Sequence, residues 1–72
     1  MNNIQITLEA ARVNAGLTQE QAAINMGVDR STIRRWEKGQ KLPAIDDCKR
    51  LAEIYGIPFD FIFFGKRLAK SE

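Results

Sequence analysis

Along this chain apolar residues recur three and four positions apart, and glycines interrupt the runs. That spacing gathers them on one face of an α-helix. Leu8 and Ala11 mark the inner face of a first helix over about residues 7–14, stopped by Gly16. Ala22, Ala23 and Met26 mark a second over 19–26. Thr18 is its N-cap, Gln21 completes a capping-box pattern, and Gly27 closes it. A third helix over 30–38 carries Ile33 and Trp36, with Gly39 as its stop. Asp29 is the expected N-cap, its carboxylate accepting free amide hydrogens of the first turn. Residues 40–44 read as a loop. A fourth helix over 45–55 places Cys48, Leu51, Ala52 and Tyr55 on one side, and Gly56 ends it. A short fifth is predicted over 58–63, with Pro58 near its first turn and Gly65 as its end. No alternating stretch is long enough to require a strand. The predicted fold is all-α: one compact five-helix domain over residues 1–65, then a polar tail over 66–72.

Only Gly27, Val28 and Asp29 separate the second helix from the third. So short a turn makes the two helices cross steeply. Close approach needs a small residue, and Ala23 supplies it. The turn needs a residue tolerant of positive φ, and Gly27 supplies that. Val28 and Ile33 are placed to fill the space beneath. In such a pair the first helix braces and the second is presented outward. At about 100° per residue, Ile33 and Trp36 fall on one side of the third helix. Ser31, Arg34, Arg35 and Lys38 fall opposite, with Arg30 at the flank. The apolar stripe holds the helix to the core and the basic and hydroxyl groups point away. That face suits a DNA major groove: arginine can bind guanine O6 and N7 together, and serine can donate or accept. Arg30 and Ser31, nearest the N-terminus, reach deepest. A plain charged solvent face would have the same composition; the short turn favours the groove.

Composition narrows the function further. The chain has 72 residues and a net charge of +2, which alone says little. The distribution says more: Arg30, Arg34, Arg35, Lys38 and Lys41 stand within one stretch against the single acid Glu37. Histidine is absent and Cys48 is the only cysteine, so neither an internal disulfide nor a zinc site is expected. Cys48 reads as a small buried hydrophobe, which suits a reducing cytoplasm. No apolar run approaches the about 20 residues of a bilayer span. The first residues lack the basic start and apolar stretch of a signal peptide, so a cytoplasmic protein is expected. No Gly-rich phosphate loop, metal cluster or nucleophile-plus-base arrangement is present, and a chain this short has no room for a deep substrate cleft. Neither an enzyme nor a cofactor is expected.

The run Gly16-Leu17-Thr18-Gln19-Glu20-Gln21-Ala22-Ala23 is followed by Gly27-Val28-Asp29-Arg30-Ser31-Thr32-Ile33-Arg34-Arg35-Trp36-Glu37-Lys38-Gly39. Together they resemble the lambda-repressor-like, or XRE/Cro-type, helix-turn-helix family. The later run Leu51-Ala52-Glu53-Ile54-Tyr55-Gly56-Ile57 resembles that family's fourth helix and its exit. The likeness covers about residues 5–65. It implies base-reading roles for Arg30, Ser31 and Arg35, and base or backbone contact for Arg34. It implies phosphate contacts for Lys38 and Lys41. Gln19 matches a residue that grips phosphate and can brace a base-contacting side chain. Arg12 and Glu37 match an ion pair joining the first helix to the third, and the helical wheel puts Glu37 at the border of the buried face. Two positions depart from the pattern. Ala22 stands where a larger aliphatic is usual, so another residue, Trp36 being a candidate, must fill the space. Ala44 stands where a capping Ser or Thr is usual.

Ile57, Phe59, Phe61, Ile62, Phe63 and Phe64 make a very apolar end. Four phenylalanines in six residues exceed what one short helix can bury in so thin a domain. Some are therefore expected to stay exposed and to mark an interface, Phe61 and Phe64 foremost. The resemblance implies a two-fold homodimer through this end, setting two recognition helices about 34 Å apart on a pseudo-palindromic double-stranded operator. The implied function is a DNA-binding transcriptional regulator, more specifically a repressor of a phage, mobile-element or restriction-system promoter. An alternative is an antitoxin that binds a toxin through the apolar end and autoregulates its operon. Against it, only about seven residues remain beyond the domain to wrap a partner. An RNA-binding or coactivator role is a more distant third.

Overall fold

Two of the helices start at side-chain hydroxyls in the computed structural model, which describes residues 4–64. Helix α1 (Leu8–Asn14) begins where the Thr7 hydroxyl accepts the Ala10 amide at 3.0 Å. Helix α2 (Gln19–Met26) begins with a full capping box. The Thr18 hydroxyl accepts the Gln21 amide at 3.0 Å, and the Gln21 side-chain oxygen accepts the Thr18 amide at 2.9 Å. Two otherwise orphaned amides are thereby satisfied. Helix α3 (Arg30–Glu37) and helix α4 (Ile45–Tyr55) start without a side-chain cap. Ala44 has no hydroxyl to offer; Asp46 and Asp47 in the first turn instead put negative charge at the positive end of α4.

The four helices bury one face each. Leu8 and Ala11 from α1, Ala22, Ala23 and Met26 from α2, Ile33 and Trp36 from α3, and Leu51, Ala52 and Tyr55 from α4 form a single cluster. Ile33 and Leu51 are the largest side chains fully withdrawn from water. Each contributes about 1.5–3 kcal/mol of transfer free energy. Ala22 and Trp36 are both buried in this cluster.

The turn between α2 and α3 depends on Gly27, which holds φ at +75°. A Cβ there would meet no atom within 4 Å, so the glycine answers a backbone requirement rather than a lack of space. The amides of Gly27 and Val28 both return to the Ala23 carbonyl, at 2.8 and 3.0 Å. Val28 packs half-buried against the core.

Among the described residues the fold is all-α but for a pair of two-residue strands, with four α-helices rather than the five expected. After Gly56 the predicted fifth helix is replaced by a 3₁₀ turn (Phe59–Phe61) and a strand, β2 (Ile62–Phe63). β2 pairs in parallel with β1 (Ile6–Thr7), Ile6 opposite Ile62 and Thr7 opposite Phe63. Two causes act together. Pro58 is extended at ψ 140°, and β-branched and aromatic residues favour extended backbone. The pairing partner lies at the other end of the chain, so no local pattern announces it. The Gln5 side chain adds a bond to the Asp60 carbonyl at 3.4 Å. Two smaller corrections concern α3. It ends at Glu37, with Lys38 as the C-cap, and the Asp29 carboxylate makes no capping hydrogen bond. Gly65 and the expected tail over 66–72 lie outside the described residues.

Candidate nucleic-acid interface

Helix α3 has two chemically opposed sides. Ile33 and Trp36 are buried, and they fasten the helix to the body. Arg30, Ser31, Arg34, Arg35 and Lys38 are all exposed, as is Lys41 in the following loop. Among the described residues the ion pairs are those of Arg12, so the cations of this outer face are bound to no carboxylate.

The acid of this helix is turned inward. Glu37 accepts from Arg12 Nε at 2.6 Å and from a terminal Arg12 nitrogen at 3.3 Å. The other terminal nitrogen of Arg12 donates to the Leu17 carbonyl at 2.9 Å. The pair is nearly dry, with 10% of the Arg12 side chain and 4% of the Glu37 side chain exposed. The hydrogen bond to Glu37 raises the Arg12 pKa above its usual value, against the opposing effect of burial. The negative charge is neutralised beneath the outer face.

Gln19 joins the same knot, its amide donating to Glu37 at 3.0 Å. One acid thus ties together α1, the first residue of α2, and α3. The bond uses one amide hydrogen of Gln19; the second hydrogen and the oxygen remain for another partner. Gln19 and Arg30 line one shallow groove between the start of α2 and the tip of α3, with Glu9, Arg12, Leu17, Thr18 and Glu20. This Gln19–Glu37 bond was not foreseen from the sequence, where the resemblance gave Glu37 only Arg12 as its partner. Arg50 was also not singled out; it reaches the Asn25 carbonyl at 3.4 Å and steadies the end of α2. Trp36 Nε1 is buried with no partner.

Tyr55 lies close enough to feel this cluster. Burial, reinforced by the Glu37 charge and opposed by Arg12, pushes its pKa up to about 12. Its ordinary value is 10.0, so the phenol contributes stability that is complete below pH 10 and lost as pH climbs through about 12. Tyr55 is the only tyrosine, so tyrosinate absorbance should titrate near pH 12 in the folded protein and near 10 in denaturant. Coincident curves would show that the phenol is solvated. Cys48 is held as a neutral thiol by burial, which raises its pKa, and its sulfur lies 3.7 Å from the Pro43 carbonyl.

At the opposite end of the chain the phenylalanines divide differently from expectation. Phe61 is 54% exposed and Phe59 39% exposed. Phe64, expected among the most exposed, is half-buried against the core, its ring 5.5 Å from that of Phe59. The turn to extended backbone at Ile62 alters which rings face outward, and Phe59 takes the place assigned to Phe64. Beside these rings runs a groove lined by Ala52, Gly56, Ile57, Pro58 and Phe59, with Lys49 and Glu53 also along it. No group of metal-ligating residues occurs among the described residues. No described helix is long and apolar enough to cross a membrane.

Comparison with known proteins bears on this geometry. The profile of the family described as Helix-turn-helix matches residues 8–62. The chain is 31% identical over 61 residues to the HTH-type transcriptional activator BcrR of Enterococcus faecalis, covering 85% of this chain and 30% of that protein. It is 38% identical over 47 residues to the cryptic phage CTXphi transcriptional repressor RstR of Vibrio cholerae, covering 65% of this chain and 42% of that protein. The chain thus spans less than half the length of either curated relative. No solved structure matches it significantly.

Proposed function

The chain belongs to the XRE-type helix-turn-helix family of DNA-binding transcription regulators, and on that premise we propose that it is a dimeric repressor of a pseudo-palindromic operator. One observation carries this reading: α3 is anchored by Ile33 and Trp36 with an outer face of exposed, unpaired arginines and lysine around Ser31. Arg30, Ser31, Arg34 and Arg35 read base edges, while Gln19, Lys38 and Lys41 hold phosphates. Repression follows by occlusion, since a protein seated across a promoter excludes polymerase. Of the two relatives one is an activator and the other a phage repressor, the repressor being the more identical over its matched span. On this reading the helix-turn-helix acts by binding DNA.

A dimer is proposed through Phe61, joined by Phe59 rather than Phe64, because these rings are the exposed ones. Two copies double the contacts of a module too small to bind tightly alone.

The test is selection from a randomised duplex pool, followed by sequencing of the retained DNA. A palindrome with half-sites about ten base pairs apart is expected. Arg30→Ala should cost about 1–3 kcal/mol on that operator and relax one base position, whereas Lys38→Ala should weaken every sequence alike. Equal losses on operator and random DNA from both variants would refute the assignment of roles. Uniform, salt-sensitive binding without enrichment would refute operator recognition and turn attention to a protein partner at the phenylalanines.

A further inference from the structure

Asp29 stands at the tip of α3 in the extended backbone conformation of an N-cap, yet its carboxylate accepts no hydrogen bond from the helix. The other two polar caps behave differently, Thr7 and Thr18 each accepting a first-turn amide at 3.0 Å. In α3 the Thr32 amide goes instead to the main-chain carbonyl of Asp29, at 2.9 Å. The Asp29 side chain is exposed, and among the described residues no cation pairs with it.

A free carboxylate is an unusual neighbour for this surface. The charged groups on the outward side of α3 are otherwise Arg30, Arg34, Arg35 and Lys38. Helix-turn-helix docking places the N-terminal residues of the recognition helix against base edges. An ionised carboxylate can only accept hydrogen bonds, so it needs a donor there. The major groove offers two donors, cytosine N4 and adenine N6. Adenine carries its N7 acceptor beside N6 and repels a carboxylate. Cytosine presents its amino group with no acceptor next to it on the same base.

We propose that Asp29 is a specificity-determining residue that accepts a hydrogen bond from cytosine N4 under the N-terminus of α3. This rests on the reading of α3 as the recognition helix. Asp29 acts in two directions: it favours one base, and it disfavours DNA that offers no donor at that place, where its charge is left among phosphates.

The experiment repeats the duplex selection with the full chain, its Asp29→Asn variant and its Asp29→Ala variant, alongside thermal unfolding of all three. The wild-type operator should carry a cytosine at one position of each half-site. Asp29→Ala should lose that preference, by about 5- to 150-fold, and leave the rest of the motif intact. Asp29→Asn should move the preference toward adenine, since a carboxamide matches N6 and N7 together. Both variants should bind random duplex more tightly than the wild type, with unchanged unfolding midpoints. A motif identical in all three proteins overturns the assignment and leaves α3 as the reader. An identical motif with a lowered midpoint for Asp29→Ala alone would make Asp29 a helix cap. If the wild type selects no motif, the recognition-helix reading itself fails and this inference falls with it.

Discussion

Arg12→Ala is expected to lower the free energy of unfolding by about 3–5 kcal/mol. The substitution removes the partner of a carboxylate that is almost wholly withdrawn from water. What remains for Glu37 is the single bond from Gln19. An uncompensated buried charge dominates this loss, more than the missing attraction does. The Leu17 carbonyl loses its donor as well. A chain of 72 residues has about 4–11 kcal/mol in total, so the variant should sit near its unfolding midpoint at ordinary temperatures. Urea unfolding followed by the fluorescence of Trp36, the only tryptophan, measures the change. Replacing both partners, as Arg12→Met with Glu37→Met, should lose less than Arg12→Ala alone, because the stranded charge goes too. A loss below about 1 kcal/mol from Arg12→Ala would place the pair with ordinary surface ion pairs.

That pair illustrates what a sequence can disclose. The helices were legible because their signals are local. Thr18 and Gln21 cap one another three residues apart, and α2 and α4 fall where their apolar spacing puts them. The outward face of α3 followed from the alternation of Ile33 and Trp36 with arginines over two turns. Arg12 and Glu37 lie 25 residues apart, and spacing alone could not join them; the family resemblance named them together. The parallel clasp of β1 and β2 escaped because its two halves lie at opposite ends of the chain and each is only two residues long. The exposure of Phe59 over Phe64 depends on that clasp. The Asp29 side chain escaped for another reason: the residue type favours capping, but the Thr32 amide was already taken by the backbone.

Ile33→Ala separates stability from recognition most sharply. Ile33 is 1% exposed and lies directly beneath the proposed reading face. Shortening it leaves a cavity in the core and should cost about 2–5 kcal/mol, against about 0.5–1.5 for Ile33→Val. Neither variant alters a group that points outward. Operator affinity should therefore fall only as the folded fraction falls, because DNA binds the folded state alone. At low temperature or in a stabilising osmolyte, Ile33→Ala should regain wild-type affinity and wild-type sequence preference. Arg30→Ala should do the reverse, keeping its unfolding midpoint and losing affinity under every condition. Paired measurements of unfolding and of operator binding distinguish the two behaviours. If Ile33→Ala stays defective after its fold is restored, Ile33 does more than hold α3 in place: it sets the angle at which α3 enters the groove, and the cavity has let the helix tilt.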